Sequence, residues 1–126
     1  MADIAAGTLY AAQIGGSIVG IVGLDANQFS EWKNQDWVDT KGKPLAVHRV
    51  CISIAFQGQG IAKKLMGFAE DYAKEKGYTS IRLDAFAGNK ISVGMYKSLG
   101  YRRCGTFHIH IGSCFCFEKI LQDDGE

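Results

Sequence analysis

A chain of 126 residues that is 47% hydrophobic and 21% charged has the size and composition of one ordinary globular domain. Its formal net charge is +1 and its lysines and arginines form no dense block, so the chain lacks the basic surface on which nucleic-acid binding depends. The densest charge run, residues 70–76, mixes both signs and is typical of a solvated helix face.

The cysteines and the first residues of the chain favour a cytoplasmic protein without disulfides. The four cysteines form no Cys-x-x-Cys pair, and a chain that buries a core of this size needs no disulfide, so we expect reduced and mostly buried thiols. The apolar start carries Asp3, no basic region and several glycines, unlike a signal peptide or a membrane span.

Two apolar runs at the start of the chain predict a β-hairpin. Residues 8–14 and 17–24 flank Gly15-Gly16, and two glycines readily adopt the positive φ angles of a tight hairpin turn.

Residues 25–45 are polar and predict an irregular connection or a short helix. Trp32 and Trp37 lie five residues apart and do not share one helical face. We interpret them as hydrophobic plugs of a loop, with a wall that faces the substrate as the alternative.

The centre of the chain predicts a strand, a turn and a long helix. Residues 46–55 are rich in β-branched and apolar side chains and predict a buried strand. A turn rich in glutamine and glycine follows, and then an amphipathic helix that Gly77 ends. Its apolar stripe recurs at spacings of three and four: Ile61, Leu65, Phe68, Ala69, Tyr72 and Ala73.

The last third of the chain predicts three strands and a second helix. Residues 80–86 alternate as a strand does, and Asn89 is a suitable N-cap for a helix over 90–99 that ends at Gly100. Residues 101–107 and 114–120 predict two further strands, and we expect a disordered tail after residue 120.

The element order β-β-β-α-β-α-β-β defines the fold class. It predicts an α/β (α+β) protein in which helices pack on a mixed, mostly antiparallel sheet. We find no repeat and no linker, so residues 1–120 form a single predicted domain.

The turn Gln57-Gly58-Gln59-Gly60 indicates an anion site at the start of the long helix. A helix begins with unpaired N–H groups and the positive end of its dipole, and glycines let a large anion approach them closely. The alternative is that the glycines only permit a tight turn between strand and helix.

Two common phosphate-binding motifs do not match this turn. A Walker loop ends in Gly-Lys-Ser/Thr, whereas Gly60 is followed by Ile61-Ala62. A dinucleotide fold requires a third glycine where this chain has Lys63.

Two motifs together resemble the GCN5-related N-acetyltransferase (GNAT) family. Gln57-x-x-Gly60-x-Ala62 is similar to its Arg/Gln-x-x-Gly-x-Gly/Ala signature. The segment Asn89-x-x-Ser92-x-x-x-Tyr96-x-x-Leu99-Gly100-Tyr101 is similar to its Asn-x-x-Ala/Ser-x-x-x-Tyr-x-x-x-Gly-Phe/Tyr pattern. The resemblance covers about residues 8–120 and implies an acyl-CoA N-acyltransferase-like fold.

The resemblance implies that the turn holds the pyrophosphate of acetyl-CoA. The strand before the turn is expected to splay from its neighbour and to admit the pantetheine arm. The N–H of Ile52 would face the thioester carbonyl, where negative charge develops, and Ile54 stands where many members carry proline. The backbone N–H groups assigned to the pyrophosphate are those of Gln57, Gly58, Gln59, Gly60, Ile61 and Ala62.

The resemblance also assigns the polar residues of the second helix. Asn89 would bond the pantetheine arm, with Ser92 beside it, and Tyr96 would protonate the departing thiolate as the general acid. The alternative for Tyr96 is an aromatic side chain that only packs in the core.

The implied reaction is direct transfer of acetyl from acetyl-CoA to an amine of a small molecule or peptide. His48 is a candidate for the base that deprotonates the amine, and strand alternation predicts that it shares one face with Val50 and Ile52. A hydrogen-bonded structural histidine is the alternative, and we assign no base.

A zinc site from the late histidines and cysteines is not expected. If Gly112-Ser113 closes a two-residue hairpin, His110 lies opposite Phe115 and His108 opposite Phe117. The cysteines at 114 and 116 then lie on the other face.

The start of the chain departs from the family pattern. Typical members place a strand and one or two helices before the hairpin, and residues 1–7 leave no room for them. We therefore expect an uncovered sheet edge and a homodimer or larger homo-oligomer. The alternative function is a truncated, acyl-CoA-binding module without turnover.

Overall fold

A computed structural model of the chain describes residues 2–5, as backbone, and residues 9–121. Residues 122–126 of the predicted disordered tail lie outside the described residues. The prediction is wrong for Leu121, whose N–H donates to the carbonyl of Thr79 at 3.0 Å and whose side chain packs against the core. The strands are β1 Ala2–Ala5, β2 Leu9–Ile14, β3 Ser17–Asp25, β4 Pro44–Ile52, β5 Ser80–Phe86, β6 Arg102–Ile109 and β7 Gly112–Ile120. The α-helices are α1 Ile61–Glu75 and α2 Lys90–Ser98, and short 3-10 turns lie at Ser30–Trp32 and Ile54–Phe56.

The described strands form one sheet in the order β1-β2-β3-β4-β5-β7-β6. Among them, only β4 and β5 pair in parallel, across the crossover that contains α1. The predicted mixed, mostly antiparallel α+β fold is confirmed.

The first hairpin forms as predicted, but another strand precedes it. Gly15 and Gly16 make the turn at φ 59° and 82°, and β2 and β3 pair on either side. The expectation that no strand comes before the hairpin is wrong, because Ala2–Ala5 pairs antiparallel with β2. The run Ala2–Ala5 does not alternate between apolar and polar residues throughout, so the pattern of the sequence does not predict this strand.

The strand before the glycine turn is shorter than predicted. β4 ends at Ile52 rather than at residue 55, and the N–H of Ser53 donates to the carbonyl of Val19 at 2.8 Å. Ile54 then begins a 3-10 turn and is 87% exposed. The prediction of a buried strand as far as residue 55 is therefore wrong for Ile54, whose apolar side chain is exposed to solvent.

Both helices pack on one face of the sheet. The buried stripe of α1 joins Val93 and Tyr96 of α2 in one core cluster with Leu45, Leu83 and Phe117. The predicted apolar stripe of α1 is therefore the face that this helix buries.

The connection between β3 and β4 covers the other face. Trp32 is 2% exposed and packs with Ala46 and Cys116 in a second cluster, against which Trp37 also lies. The indole N–H of Trp37 donates to the carbonyl of Trp32 at 2.8 Å. The interpretation of the tryptophans as plugs is confirmed.

A buried carboxylate of β7 ties the same connection to the sheet. Glu118 is buried, pairs with the Nε of Arg82 at 3.1 Å and accepts the N–H of Val38 at 2.7 Å. A buried carboxylate with this many donors holds the end of the loop without an uncompensated charge.

The last hairpin turns at a different place from the prediction. The turn is His110-Ile111, and Gly112 belongs to β7 opposite Ile109. His108 therefore lies opposite Ser113, not Phe117, because the turn comes two residues earlier than predicted and the pairing shifts with it. No group of three or more His, Cys, Asp or Glu in the described residues is placed to hold a metal ion.

The longest described helix has 15 residues. Neither α1 nor α2 is long and apolar enough to cross a bilayer.

Candidate active site

The two parallel strands separate half-way along the sheet. β4 and β5 pair only from Pro44 and Ser80 to Ala46 and Arg82. Beyond that point β4 runs on to Ile52 with β3, and β5 runs on to Phe86 with β7. The separation leaves two strand edges facing each other across a gap, where an extended ligand can enter. The predicted splay is confirmed.

The glycine turn places the start of α1 at the mouth of this gap. Gly58 and Gly60 have φ angles of 81° and 78°, which favour glycine. Gly60 is the N-cap of α1, and the first helical bond runs from the N–H of Lys64 to its carbonyl at 3.1 Å. The N–H groups of the first turn thus lack helical acceptors and carry the positive end of the dipole.

Nothing in this turn blocks an approaching anion. A Cβ built on Gly58 or Gly60 meets no atom within 4 Å, and the first turn of α1 holds no acidic residue. Lys63 adds a positive charge within the first turn of the helix. The turn therefore has the geometry and the charge of an anion site.

A cavity of about 680 Å³ joins the turn to α2. This volume falls within the range of small-molecule and cofactor sites. Its lining includes these predicted residues: Ile52, Gln57, Gly58, Gly60, Ile61, Ala62, Asn89, Ser92 and Tyr96. One cavity thus brings together residues that stand up to 44 positions apart, from Ile52 to Tyr96.

Two predicted residues lie outside the lining of this cavity. Ile54 sits on the exposed 3-10 turn, and the side chain of Gln59 is exposed. Six lining residues were not predicted: Val50, Cys51, Phe56, Lys63, Ile91 and Met95. Ile91 and Met95 lie four residues apart, each one position before Ser92 and Tyr96, so this pair borders the predicted ligand-facing side of α2.

The side-chain oxygen of Asn89 caps the helix that follows it. Its side-chain oxygen accepts the N–H of Ser92 at 3.1 Å, as an N-cap does. The predicted cap is confirmed. A bond to a ligand would therefore come from its Nδ2 group.

Tyr96 both packs in the core and lines the cavity. It is 6% exposed, with ring centroids 5.9 Å from those of Tyr101 and of Phe117. Burial raises the pKa of its phenol to about 12, and the charges of Asp84 and Cys51 act in the same direction. The phenol is thus neutral at pH 7 and has a proton to donate.

His48 does not lie on the predicted face. Gly23 pairs with Arg49 and Leu24 with Val47, so His48 is the extra residue of a β-bulge. Its Nε2 lies 2.5 Å from Oδ1 of Asp25, and Phe29 packs on its ring. Val50 packs on the helical side instead. The prediction of a shared face is wrong, since a bulge reverses strand alternation.

Comparison with known proteins identifies the family. The sequence profile described as Acetyltransferase (GNAT) family matches residues 1–101. This chain belongs to the GNAT family. Its relatives include N-acetyltransferase family 8 member 2 of Rattus norvegicus, 28% identical over 106 residues, which are 83% of this chain and 43% of that protein. The chain thus spans less than half the length of that curated GNAT relative.

Solved structures show the same fold. A putative acetyltransferase from Staphylococcus aureus superposes with a TM-score of 0.74 at 23% identity, over 92% of this chain and 73% of that one. The NatC complex bound to Gag peptide and CoA superposes with a TM-score of 0.73 at 19% identity, over 90% and 71%. The acyl-CoA N-acyltransferase-like fold of this GNAT chain is therefore confirmed.

Proposed function

We propose that this chain transfers an acetyl group from acetyl-CoA to an amine of a small molecule or peptide. The observation that carries the proposal is the gap between β4 and β5, which connects the glycine turn with the Tyr96 phenol in one cavity. Acetyl-CoA matches this arrangement, because its pyrophosphate would lie at the glycine turn and its thioester near Tyr96.

The turn residues suit the pyrophosphate. The unpaired N–H groups at the start of α1 meet an anion without a side chain in the way, and Lys63 adds a point charge. Gln59 contributes through its backbone N–H in this proposal, since its side chain does not line the cavity. Ile54, which lies outside it, would contribute no side-chain contact.

The proposed chemistry takes place at the inner end of the gap. The amine nitrogen attacks the thioester carbon, the C–S bond breaks, and the thiolate takes its proton from Tyr96. The N–H of Ile52 faces the carbonyl oxygen and stabilises the charge that develops there. Asn89 and Ser92 hold the pantetheine arm on the face of α2 that they share with Tyr96.

A second candidate is an acyl-CoA-binding module without turnover. The observation that favours it is that the anion site consists of the glycine turn and the unpaired N–H groups at the start of α1, which need neither an acid nor an acceptor to bind a ligand. Both candidates predict cofactor binding, and only the first predicts release of free CoA in the presence of an amine.

The NatC complex is a fold neighbour whose structure contains a peptide and CoA, so peptide amines belong among the acceptors to be tested. A cytoplasmic location and a homo-oligomer remain part of the proposal.

Calorimetry with acetyl-CoA tests the binding step. We expect the parent chain to bind and Gly60→Asp to bind at least about tenfold more weakly, because the new carboxylate repels the pyrophosphate and strains the turn. Gly67→Asp is the matched control, since Gly67 lies on the same helix, is exposed and has no atom near its added Cβ. Absence of binding by the parent chain would contradict both candidate functions.

Release of free CoA thiol then separates enzyme from binding module. The parent chain is mixed with acetyl-CoA and a panel of small-molecule and N-terminal peptide amines. Amine-dependent thiol release supports transfer. Binding without release from any amine supports the module.

A further inference from the structure

Cys51 places an exposed thiol in the lining of the candidate active site. It is the one exposed cysteine among the four of the chain, and it belongs to the cavity that joins the glycine turn to α2. On one side it pairs with Ile21 of β3. On its other side β5 has already separated, since β4 and β5 pair only as far as Ala46. The strand edge at Cys51 is therefore open to the gap.

The same thiol lies next to the reacting end of the proposed donor. Val50 and Ile52 pack toward the helical core, so strand alternation turns Cys51 to the other face of the sheet, beside the gap. Ile52 follows Cys51 directly, and consecutive Cα atoms lie about 3.8 Å apart. A donor whose thioester carbonyl faces the N–H of Ile52 therefore brings its sulfur close to the Cys51 side chain.

The Tyr96 phenol indicates independently that a polar ligand belongs at this end of the cavity. Tyr96 is 6% exposed, and its hydroxyl group has no hydrogen-bond partner among the described residues. The hydroxyl is not one of their sealed unpaired atoms, so its small exposed area lies at the cavity that Tyr96 lines. The charge of Cys51 acts on this phenol, as does that of Asp84, whose Oδ2 accepts the indole N–H of Trp32 at 2.8 Å. An unpaired donor and an exposed thiol thus meet where the sulfur of the donor is expected.

The other three thiols do not compete with Cys51 for a reagent in solution. Cys104, Cys114 and Cys116 are 5%, 8% and 0% exposed. Burial raises the pKa of all three thiols, that of Cys116 to about 12. Because the thiolate is the reactive form, a buried thiol with a raised pKa reacts slowly.

We propose that Cys51 is a redox modification site that captures CoA as a mixed disulfide and so blocks the cavity to acetyl-CoA. The inference rests on the acetyl-CoA site proposed above and adds a means of regulation to it. The co-reactant is CoA disulfide, the oxidised dimer of the cofactor, whose pyrophosphate meets the same glycine turn. Glutathione disulfide has no pyrophosphate, so the anion site does not concentrate it beside Cys51.

The exchange balances without a further oxidant. The Cys51 thiolate attacks the nearer sulfur of CoA disulfide, a new S–S bond forms, and the S–S bond of the reagent breaks. The second CoA leaves with the electron pair as a thiolate and takes up the proton that Cys51 lost. The Cys51 sulfur is oxidised and the departing CoA sulfur is reduced. A reducing thiol reverses the step and frees the cavity.

Intact-mass spectrometry after incubation with CoA disulfide tests the site. We expect one CoA adduct per chain, located at Cys51 by peptide mapping and removed by dithiothreitol. The adduct should form at least about tenfold faster than the adduct with glutathione disulfide, because binding at the turn raises the local concentration of the reagent. An excess of acetyl-CoA should suppress the reaction.

Two glycine variants test whether the turn directs the reaction. In Gly60→Asp the preference for CoA disulfide over glutathione disulfide should fall to about one, because the new carboxylate repels the pyrophosphate. Gly67→Asp is the matched control, since it adds the same charge to an exposed position of the same helix, and it should keep the preference. The ratio of the two rates cancels any change in the general reactivity of the thiol.

Calorimetry with acetyl-CoA measures the consequence for the cavity. After incubation with CoA disulfide and desalting, the parent chain should no longer bind acetyl-CoA, and dithiothreitol should restore binding. Cys51→Ser should form no adduct and should bind acetyl-CoA equally well before and after the incubation.

The outcomes separate this inference from the proposed function. If the parent binds acetyl-CoA but forms no adduct at Cys51, or reacts equally fast with both disulfides, the inference is overturned and the transfer proposal stands. If the parent does not bind acetyl-CoA, both are overturned, and Cys51 is an ordinary exposed thiol. A selective adduct in a chain that releases no CoA to any amine would reject the transfer and retain Cys51 as the modification site.

Discussion

At the scale of single residues, Tyr96 combines two roles that compete in most tyrosines. Its ring packs in the core against Tyr101 and Phe117, and the same residue also lines the cavity. The burial that packs the ring also raises the pKa of the phenol to about 12, so the group keeps its proton through the neutral range.

Tyr96→Phe should separate these roles. The ring and its packing remain, so we expect an unchanged Kd for acetyl-CoA and a change in the free energy of unfolding below about 1 kcal/mol. The loss of the acid should lower kcat about a hundredfold or more. Thiol-release assays measure kcat, and urea unfolding of the same preparations measures the free energy of unfolding. Full activity in Tyr96→Phe would show that the phenol only packs.

Asp84 carries a stability cost that depends on pH. Its pKa is raised on folding, chiefly by burial, so the folded state holds this proton more tightly than the unfolded chain does. Stability is therefore lost as the pH rises from the ordinary aspartate value through the folded one, and the loss remains at higher pH.

Asp84→Asn should consequently stabilise the chain at neutral pH. Asparagine cannot ionise, and its oxygen still accepts the Trp32 N–H. We expect a higher urea midpoint than in the parent at about pH 7.5 and a smaller difference at about pH 4. A variant that is less stable at both pH values would show that the charged hydrogen bond outweighs desolvation.

At the scale of elements, the start of α1 and its middle use glycine for different reasons. Gly60 has a φ of 78° and Gly67 has an ordinary helical backbone, and an added Cβ meets no atom at either position. The first glycine is required by backbone conformation, whereas the second only lowers helix propensity.

Alanine substitutions at Gly60 and Gly67 should therefore change the free energy of unfolding in opposite directions. Gly60→Ala should lower the free energy of unfolding by about 1 kcal/mol, the cost of a left-handed alanine. Gly67→Ala should raise it by about 0.8 kcal/mol, and exposed Gly94 of α2 offers a repeat of the test. Chemical unfolding measures all three, and destabilisation by Gly67→Ala would contradict the assignment.

At the scale of the whole molecule, the sheet ends in β1 on one side and β6 on the other. An end strand presents unpaired N–H and C=O groups that another chain can pair with. β6 carries exposed Arg102 and Arg103 at one end and exposed Ile109 at the other. Charge discourages pairing at the first end, and an apolar side chain favours it at the second.

We expect light scattering after size exclusion to give a dimer or larger species. Ile109→Lys should dissociate it if β6 forms the contact, because lysine protects an edge strand from pairing. An oligomer that survives the substitution would place the contact at β1. A monodisperse parent monomer would contradict the proposal.

Local patterns alone predicted most of the elements. The apolar stripe of α1, the Asn89 cap and the Gly15-Gly16 turn follow from short-range rules of spacing, hydrogen bonding and φ angle. These rules act within a few residues, so they do not need the rest of the chain. The two motifs likewise located eight of the residues that line the cavity.

Tertiary structure alone decided the features that depend on pairing. The bulge at His48, the hairpin turn at His110-Ile111 and the end of β4 at Ile52 depend on the partner strand, which a local pattern does not contain. Trp32 and Asp84 stand 52 positions apart and meet only because the connection before β4 folds over the sheet. The sequence by itself therefore determined the glycine turn and the helix that follows it, while the contact between the loop before β4 and the sheet is a product of strand pairing and packing between distant segments.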